Sequence, residues 1–325
     1  MTGVTKGKRT IMVTGAAGFI GFHLSVRLLE AGEVVVGIDN LNNYYDVSLK
    51  KARLEILTTY PNFVFYKEAI QNLDALKAIF KRHDIEIICN LAAQAGVRHS
   101  LKDPFSYQKS NLEGFLNLIE MARHCEVKNF VYASSSSVYG SNTKSPFSVE
   151  DRVDNPISLY AATKKANELI AHAYSHLYGI PCTGLRYFTV YGPWGRPDMA
   201  LFLFTDAILK KRPIKVFNYG QMKRDFTYID DIIDGTIAAI DRPVPYEVFN
   251  LGNSNPVELL EYIHILEEEL GQKAEKEMLP MQPGDVASTA ADIDKSKEML
   301  DFNPKTPLKE GIKRFVAWYM EYYKV

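Results

Sequence analysis

The sequence predicts an α/β protein in which a parallel sheet is doubly wound by helices and is followed by a smaller C-terminal α/β lobe. The first observation is a regular alternation of short apolar segments and amphipathic segments through residues 1–187. The second is a change of rhythm beyond Tyr187, where shorter strand-like segments are separated by helices and prolines. A chain of 325 residues is long enough to bury one large core or two lobes.

The elements of the first half follow from segment length and from the spacing of apolar residues. Apolar runs predict strands at residues 11–13, Val34–Ile38, Phe63–Tyr66, 85–90, 130–134 and Cys182–Tyr187. Amphipathic runs predict helices at residues 19–31, 46–59, Leu73–Arg82, 105–123 and Leu159–Tyr178. Asp46 is expected to cap the second of these helices. Strands that alternate with helices form a parallel sheet, and ligands bind at the carboxyl ends of its strands.

The second half, residues 188–325, is predicted to form the smaller lobe, which we expect to bind substrate. Its strands are expected at residues 214–217, 248–251 and 277–281. Residues 226–251 are expected to fold back onto the main sheet, so the boundary after residue 187 is not a single cut.

Charge, cysteine content and hydropathy exclude several classes of protein. The 38 basic residues nearly cancel the 39 acidic ones, so nucleic acid is not expected as a partner. Cys89, Cys125 and Cys182 lie in apolar or helical segments and are expected to be reduced. No apolar run is long enough to span a bilayer, and glycines interrupt the one segment that resembles a secretion signal. We therefore expect no membrane partner and a cytoplasmic location.

Three glycines, Gly15, Gly18 and Gly21, follow the first predicted strand. Glycines at a strand-to-helix turn let the backbone approach phosphates, and the helix N-terminus supplies amide donors. Asp39 ends the second strand about 20 residues further on, where a carboxylate can bind an adenosine ribose diol. Similar turns occur at ordinary strand–helix corners, but the combination predicts a Rossmann dinucleotide site. Because a carboxylate repels a 2′-phosphate, NAD is preferred over NADP.

Tyr160 and Lys164 are four positions apart on one predicted helix, so their side chains share a face. A phenol with its usual pKa of about 10 is a weak base at neutral pH. A neighbouring ammonium and a cationic nicotinamide ring would lower that pKa by stabilising the phenolate. Taken alone, such a pair is more often a surface tyrosine beside a solvated lysine. The surrounding motifs favour the catalytic interpretation.

Four consecutive serines, residues 134–137, follow the strand that begins near residue 130. Serine runs are commonly solvated turns. Because this run ends a buried strand and faces the predicted cofactor crevice, we expect its hydroxyls to hydrogen-bond a substrate.

The chain resembles the extended short-chain dehydrogenase/reductase family, and within it the NAD-dependent nucleotide-sugar epimerases, over essentially its whole length. The resemblance is carried by the three glycines, Asp39, Leu91-Ala-Ala, Asn111, the serine run, Tyr160-Ala-Ala-Thr-Lys164 and Arg186-Tyr-Phe-Thr-Val-Tyr-Gly-Pro193. Three motifs are similar to those of UDP-glucuronate 4-epimerases: Asn42-Asn-Tyr-Tyr-Asp46, Gly192-Pro-Trp-Gly-Arg-Pro-Asp-Met199 and Met281-Gln-Pro-Gly-Asp285. The resemblance implies that bound NAD removes a hydride from C4 of a UDP-sugar. The keto sugar then turns over and takes the hydride back on its other face.

The same resemblance implies roles for individual residues. Tyr160 corresponds to the base that takes the 4-hydroxyl proton, Lys164 to its electrostatic partner, and Ser135 and Ser136 to catalytic hydroxyls. The residues implied to contact NAD are Gly15, Gly18, Phe19, Ile20, Gly21, Asp39, Asn40, Ile70, Leu91, Ala92, Ala93, Tyr160, Lys164 and Tyr187. The residues implied to contact the UDP-sugar are Arg98, Ser137, Thr189, Arg196, Val216, Phe217, Arg224 and Asp285. No metal site is predicted, because the histidines lack ligand spacing.

A uronic acid substrate makes a specific demand on this site. Once C4 is a ketone, the C5 carboxylate is prone to leave as CO2 when its bond stands perpendicular to the carbonyl plane. We expect Arg196, Thr189 and Ser137 to hold that bond near the plane, with arginine offering a planar fork. The alternative for Arg196, which lies in a Gly/Pro-rich loop, is a solvated or loop-pinning arginine.

Other functions remain open from the sequence alone. One is a 4-epimerase of UDP-glucose or UDP-N-acetylglucosamine. Another is a UDP-glucuronate decarboxylase, although Ser136 and Ser137 stand where such relatives carry acidic residues. A silent NAD-binding module is a third, disfavoured because Tyr160 and Lys164 are both present. The helices at 105–123 and Leu159–Tyr178 are predicted to pair across a homodimer.

Overall fold

A parallel seven-stranded sheet forms the centre of the computed structural model, which describes residues 8–282 and 286–325. In chain order the strands are β1 (Thr10–Thr14), β2 (Val34–Ile38), β3 (Phe63–Tyr66), β4 (Ile87–Asn90), β5 (Asn129–Ala133), β6 (Cys182–Tyr187), β7 (Thr189–Tyr191), β8 (Ile214–Val216), β9 (Lys223–Arg224), β10 (Phe226–Tyr228), β11 (Tyr246–Leu251), β12 (Val257–Glu258) and β13 (Lys276–Met278). The sheet order is β11-β6-β5-β4-β1-β2-β3, and all six pairings are parallel. The predicted doubly wound α/β fold is confirmed.

Helices cover the sheet and build the C-terminal lobe. They are α1 (Phe19–Glu30), α2 (Val47–Leu57), α3 (Leu73–Arg82), α4 (Pro104–Tyr107), α5 (Gly114–His124), α6 (Leu159–Tyr178), α7 (Ala200–Leu209), α8 (Ile229–Asp241), α9 (Leu259–Leu270), α10 (Asp294–Leu300) and α11 (Leu308–Tyr323). The single helix predicted at 105–123 is instead α4 and α5 joined by a π-helical segment, Gln108–Glu113.

Side-chain caps fix where several helices begin. In α2, α3, α4 and α6, a side-chain oxygen of the residue before the helix accepts a hydrogen bond from a backbone N–H of the first turn. The capping residues are Asp46, Asn72, Asp103 and Ser158. The cap on α6 matters for the site, because Tyr160 is the second residue of that helix.

Alternating side chains give the sheet two apolar faces. On β1, Ile11 and Val13 pack into one buried cluster and Met12 into the other. The first cluster continues into the C-terminal lobe through residues such as Val216 and Phe226. Apolar packing is therefore continuous from the sheet into the C-terminal lobe.

Strands of the C-terminal half lie both in the main sheet and outside it. β11 pairs with β6 in the main sheet, whereas β10 pairs with β7, β12 with β9, and β13 with β8 outside it. The division of the chain after residue 187 stays a prediction.

Candidate active site

A cleft of about 1300 Å³ lies where the carboxyl ends of the main strands meet the C-terminal lobe. It is bordered by all of the predicted site residues except two. Val216 is fully buried in the core, while its neighbour Phe217 borders the cleft. Asp285 lies outside the described residues. Among residues 8–282 and 286–325, no cluster of His, Cys, Asp and Glu could hold a metal ion.

The glycine-rich loop between β1 and α1 is too tight for side chains. Gly15 has a φ of +70°, and a Cβ there would come within 3.0 Å of the Ala92 nitrogen. A Cβ on Gly18 would lie 2.9 Å from the Gly15 carbonyl oxygen, and one on Gly21 only 2.1 Å from it. No side chain caps α1, so its first-turn amides face an approaching anion directly. This cradle fits the pyrophosphate of a dinucleotide.

Asp39 ends β2 beside this cradle. Its carboxylate accepts hydrogen bonds from the Ala17 amide at 3.2 Å and the Leu41 amide at 2.8 Å. A carboxylate has about four acceptor positions, so it can also accept ribose hydroxyls. Lys50, which the sequence analysis missed, also borders the cleft and donates to the Asn42 carbonyl and side-chain oxygens. These groups fit the adenosine ribose of NAD.

The π-helical segment positions Asn111 as a buried connector. Its side chain accepts from the Gln94 amide at 2.8 Å and donates to the Thr163 hydroxyl at 3.0 Å. Its carbonyl accepts from Asn167 at 2.7 Å. Asn111 therefore ties the loop after β4, which contributes Leu91, Ala92 and Ala93 to the cleft, to the helix that carries Tyr160.

Lys164 is buried in the cleft wall with its ammonium bound to the Ala133 carbonyl at 2.7 Å. Burial lowers the pKa of Lys164 to about 8. Burial also raises the pKa of Tyr160 above its usual value, although nearby Ser135 and Arg196 act in the opposite direction. The expected lowering of the Tyr160 pKa depends on the nicotinamide charge as well as on Lys164, so it stays a prediction for the NAD-bound protein. A phenolate needs a further positive charge beside it.

In the serine run, Ser134 has a structural role, whereas residues 135–137 lie at the cleft. The Ser134 hydroxyl donates to Glu168 at 2.7 Å, inside a buried ion pair between Glu168 and Arg186. Ser135 accepts from the Ser137 amide, and the hydroxyls of these two serines are 3.1 Å apart. Residues 135–137 all border the cleft.

Arg196 borders the same cleft and is oriented by an acidic partner. Its Nε donates to Oδ1 of Asp198 at 3.0 Å and its Nη2 to Oδ2 at 2.5 Å. The Tyr44 hydroxyl donates to Oδ2 at 3.1 Å. Burial opposes ionisation of Asp198, but the charge of Arg196 outweighs it and holds the pKa of that carboxyl below its usual value. Arg196 is thus both pinned within its loop and presented to the cleft.

The remaining predicted contacts lie on the C-terminal side. Thr189 is the first residue of β7 and borders the cleft. The Arg98 guanidinium stacks over the Phe217 ring, 4.9 Å from its centre. Arg224, on β9, donates to the carbonyls of Lys223 and Ala287. Two arginines and an aromatic ring here could bind a nucleoside diphosphate.

Comparison with known proteins identifies the family to which the chain belongs. Residues 11–252 match the NAD dependent epimerase/dehydratase family. The chain belongs to this family. UDP-glucuronate 4-epimerase 4 of Arabidopsis thaliana is 48% identical over 332 residues, which cover 97% of this chain and 76% of that protein.

Two solved structures of the family extend the comparison. The crystal structure of UDP-glucuronic acid 4-epimerase from Bacillus cereus, with UDP-glucuronic acid and NAD, has a TM-score of 0.91 at 37% identity and covers 97% of this chain and 100% of that chain. UDP-glucose 4-epimerase from Thermotoga maritima, with UDP-glucose, has a TM-score of 0.89 at 32% identity and covers 97% and 99%. The predicted resemblance to UDP-glucuronate 4-epimerases and the NAD cofactor are confirmed. Since a UDP-glucose epimerase shares the fold, the choice of sugar depends on the residues of the site.

Proposed function

We propose that this epimerase family member interconverts UDP-glucuronate and UDP-galacturonate through a transient 4-keto sugar, with NAD tightly bound. The observation that supports this reaction is that Tyr160 and Arg196 line the same cleft. The C4 hydroxyl and the C5 carboxylate of a glucuronate are on adjacent carbons. A sugar between the two side chains can present its hydroxyl to one and its carboxylate to the other.

In this proposal Tyr160 takes the proton of the 4-hydroxyl, and Ser135 hydrogen-bonds the same oxygen. Bound NAD supplies the hydride acceptor and the positive charge that a phenolate needs. Lys164 keeps a second cation in the buried wall, fixed by the Ala133 carbonyl. When the hydride returns to the opposite face of C4, Tyr160 gives the proton back to the oxygen. No proton is gained or lost over the cycle.

Arg196 is proposed to protect the keto intermediate from losing its carboxylate. In that side reaction the C5–carboxylate bond breaks, its electron pair enters the enolate of the 4-ketone, CO2 leaves and C5 takes a proton from water. The electron pair can do this only when the breaking bond overlaps the carbonyl π system. A planar guanidinium that binds both carboxylate oxygens, with Thr189 and Ser137 beside it, can hold the bond near the carbonyl plane.

The direct test is incubation of the purified protein with UDP-glucuronate and no added NAD, followed by proton NMR. UDP-galacturonate that appears until an equilibrium mixture is reached supports the proposal. The matched control is Tyr160→Phe, which keeps the ring and is expected to retain NAD without turnover. A UDP-pentose with released CO2, or no product from folded, NAD-containing protein, would refute the proposed reaction.

One observation favours a second candidate, a 4-epimerase of neutral UDP-hexoses. Asp198 already neutralises Arg196, so the cleft carries less net positive charge than an isolated arginine would give. UDP-glucose and UDP-N-acetylglucosamine should therefore be assayed beside UDP-glucuronate. A higher kcat/KM for either neutral sugar would replace the first proposal with this one.

A homodimer is also proposed, from apolar side chains exposed on neighbouring helices. Phe105 on α4 is 73% exposed and Leu169 on α6 is 60% exposed. Leu177 lies eight residues after Leu169, about two turns along the same face, and is 65% exposed. Exposed apolar patches of this kind mark interfaces. Light scattering should show a dimer that Leu169→Glu weakens, whereas Met299→Glu on α10 leaves it intact; a monomeric unmodified protein would contradict the proposal.

A cytoplasmic location is proposed from the cysteines. Cys89, Cys125 and Cys182 form no disulfide; Cys89 and Cys182 are buried, whereas Cys125 is exposed at the end of α5. Free thiols suit a reducing compartment. In the described part of the chain, no helix is long and apolar enough to cross a membrane. Cell fractionation tests the location.

A further inference from the structure

The loop that leads to Arg196 is held by side chains of the nucleotide-binding half. Three consecutive carbonyls, those of Pro193, Trp194 and Gly195, each lie within hydrogen-bonding distance of such a side chain. His23 on α1 contacts the first at 2.9 Å. Arg53 on α2 donates through Nη2 to the second at 2.6 Å and to the third at 3.2 Å. Hydrogen bonds at three successive carbonyls fix the path of this loop.

The His23 contact has a defined direction at neutral pH. Burial lowers the pKa of His23 to about 4, so the ring is neutral and its Nε2 must carry the hydrogen to donate to the Pro193 carbonyl. The Trp194 ring packs against Phe22 beside His23, with ring centres 5.5 Å apart. Trp194 also has a φ of +59°, an uncommon conformation for a bulky residue. The loop therefore needs external contacts to keep its shape.

Arg53 reaches the cofactor cradle as well. Its side chain is fully buried, and its Nη1 donates to the Ala17 carbonyl at 2.8 Å and to the Tyr45 hydroxyl at 2.9 Å. Ala17 lies between the glycines of the loop that fits the pyrophosphate. All four of these acceptors are uncharged oxygens, and Nε has no hydrogen-bond partner among the described residues. A buried guanidinium without a carboxylate is costly and is an unusual choice for a purely structural contact.

We propose that Arg53 is a positioning residue that couples the cofactor cradle to Arg196. One guanidinium binds the backbone of the cradle through Nη1 and the backbone immediately before Arg196 through Nη2. The distance between the nucleotide and the arginine that faces the sugar carboxylate is thereby fixed. This inference rests on the proposed function, in which Arg196 holds that carboxylate.

The first test compares Arg53→Lys with the unmodified protein and with Arg27→Lys. Lysine keeps the positive charge but cannot span both backbones with a planar fork. Arg27 is the matched control, because it is an arginine in a half-exposed ion pair with Asp234 on the same half of the molecule. We expect Arg53→Lys to raise the KM for UDP-glucuronate at least tenfold, to increase the fraction of turnovers that release CO2, and to lower the NAD retained after gel filtration. Arg27→Lys should change none of these.

A second variant tests the contact to the Pro193 carbonyl separately from the contacts of Arg53. It also covers the case in which Arg53→Lys does not fold. His23→Leu removes the donor to the Pro193 carbonyl, keeps an apolar side chain against Phe19 and Phe22, and leaves Arg53 unchanged. It should raise KM and CO2 release severalfold while NAD retention stays unchanged. Folded variants with lower thermal stability but unchanged KM, product ratio and NAD content would overturn the inference and leave a structural role.

Failure of the inference differs from failure of the proposed function. If the unmodified protein does not epimerise UDP-glucuronate, the proposed function fails, whatever the variants do. Hydrogen exchange at the backbone amides of residues 194–196 still tests the coupling in that case. Exchange should be faster in Arg53→Lys than in Arg27→Lys, and equal rates would refute the coupling itself.

Discussion

Replacement of Arg196 by alanine should raise the KM for UDP-glucuronate by about 10- to 150-fold. Asp198 accepts hydrogen bonds from Nε and Nη2 of the guanidinium. The Nη1 side, which Asp198 does not occupy, is the side that we expect to bind the carboxylate. Hydrogen bonds to charged groups contribute about 1.5–3 kcal/mol, and each 1.4 kcal/mol is a factor of about ten in affinity.

The assay must separate this loss from damage to the loop. Arg196→Ala leaves the Asp198 carboxylate without its cation, so the double variant with Asp198→Ala is the matched comparison. UDP, which lacks the sugar, should inhibit both variants with an unchanged Ki, and the fraction of turnovers that release CO2 should rise in both. An unchanged KM and an unchanged product ratio in the double variant would refute the assignment of Arg196 to the carboxylate.

Three further predictions follow from buried groups. Lys164→Met should abolish turnover yet raise the free energy of unfolding at pH 7 by about 1–2 kcal/mol. The pKa of Lys164 is about 8 in the folded protein and higher in the unfolded chain. The stability gained by the substitution should therefore shrink as pH rises from 8 to 10.5. Burial opposes ionisation of Glu267, but hydrogen bonds from two lysines and a backbone amide bring its pKa to about 2. The ionised carboxylate should therefore contribute up to about 3 kcal/mol to the free energy of unfolding above pH 4.5, and this contribution should disappear as pH falls towards 2. Denaturant titrations measure this loss, which Glu267→Gln should not show. Gly21→Ala should abolish NAD retention and lower the melting temperature, because its Cβ would lie 2.1 Å from the Gly15 carbonyl oxygen; NAD content equal to that of the unmodified protein would contradict this.

Local patterns were sufficient for much of the fold. β2, β3, β6, α3 and α6 have the predicted bounds, because apolar periodicity and capping side chains act over a few residues. The π-helical segment Gln108–Glu113 was missed because its register follows from Asn111, whose partners Gln94 and Thr163 are distant in sequence. The short strands of the C-terminal half, such as Lys223–Arg224, were missed for the same reason, since their pairing partners are far along the chain.

The site was predictable where a motif places residues at the end of a strand. It was not predictable where a residue acts through a distant partner, as Asp198, Lys50 and Arg53 do. The burial of Val216 could not be read from the motif, because it follows from the side-chain alternation along β8; its predicted contact with the UDP-sugar stays a prediction. The pKa of Tyr160 shows another limit, because desolvation depends on the packed structure and not on the spacing to Lys164.

The most direct test of the central claim uses UDP-glucuronate that carries deuterium at C4, incubated in ordinary water. In the proposed mechanism, the same hydride leaves C4 and returns to C4. UDP-galacturonate should therefore retain the deuterium at C4 with none lost to solvent, as read by NMR and mass spectrometry. Product that has exchanged its C4 deuterium for solvent hydrogen would contradict hydride return and the proposed roles of Tyr160 and NAD.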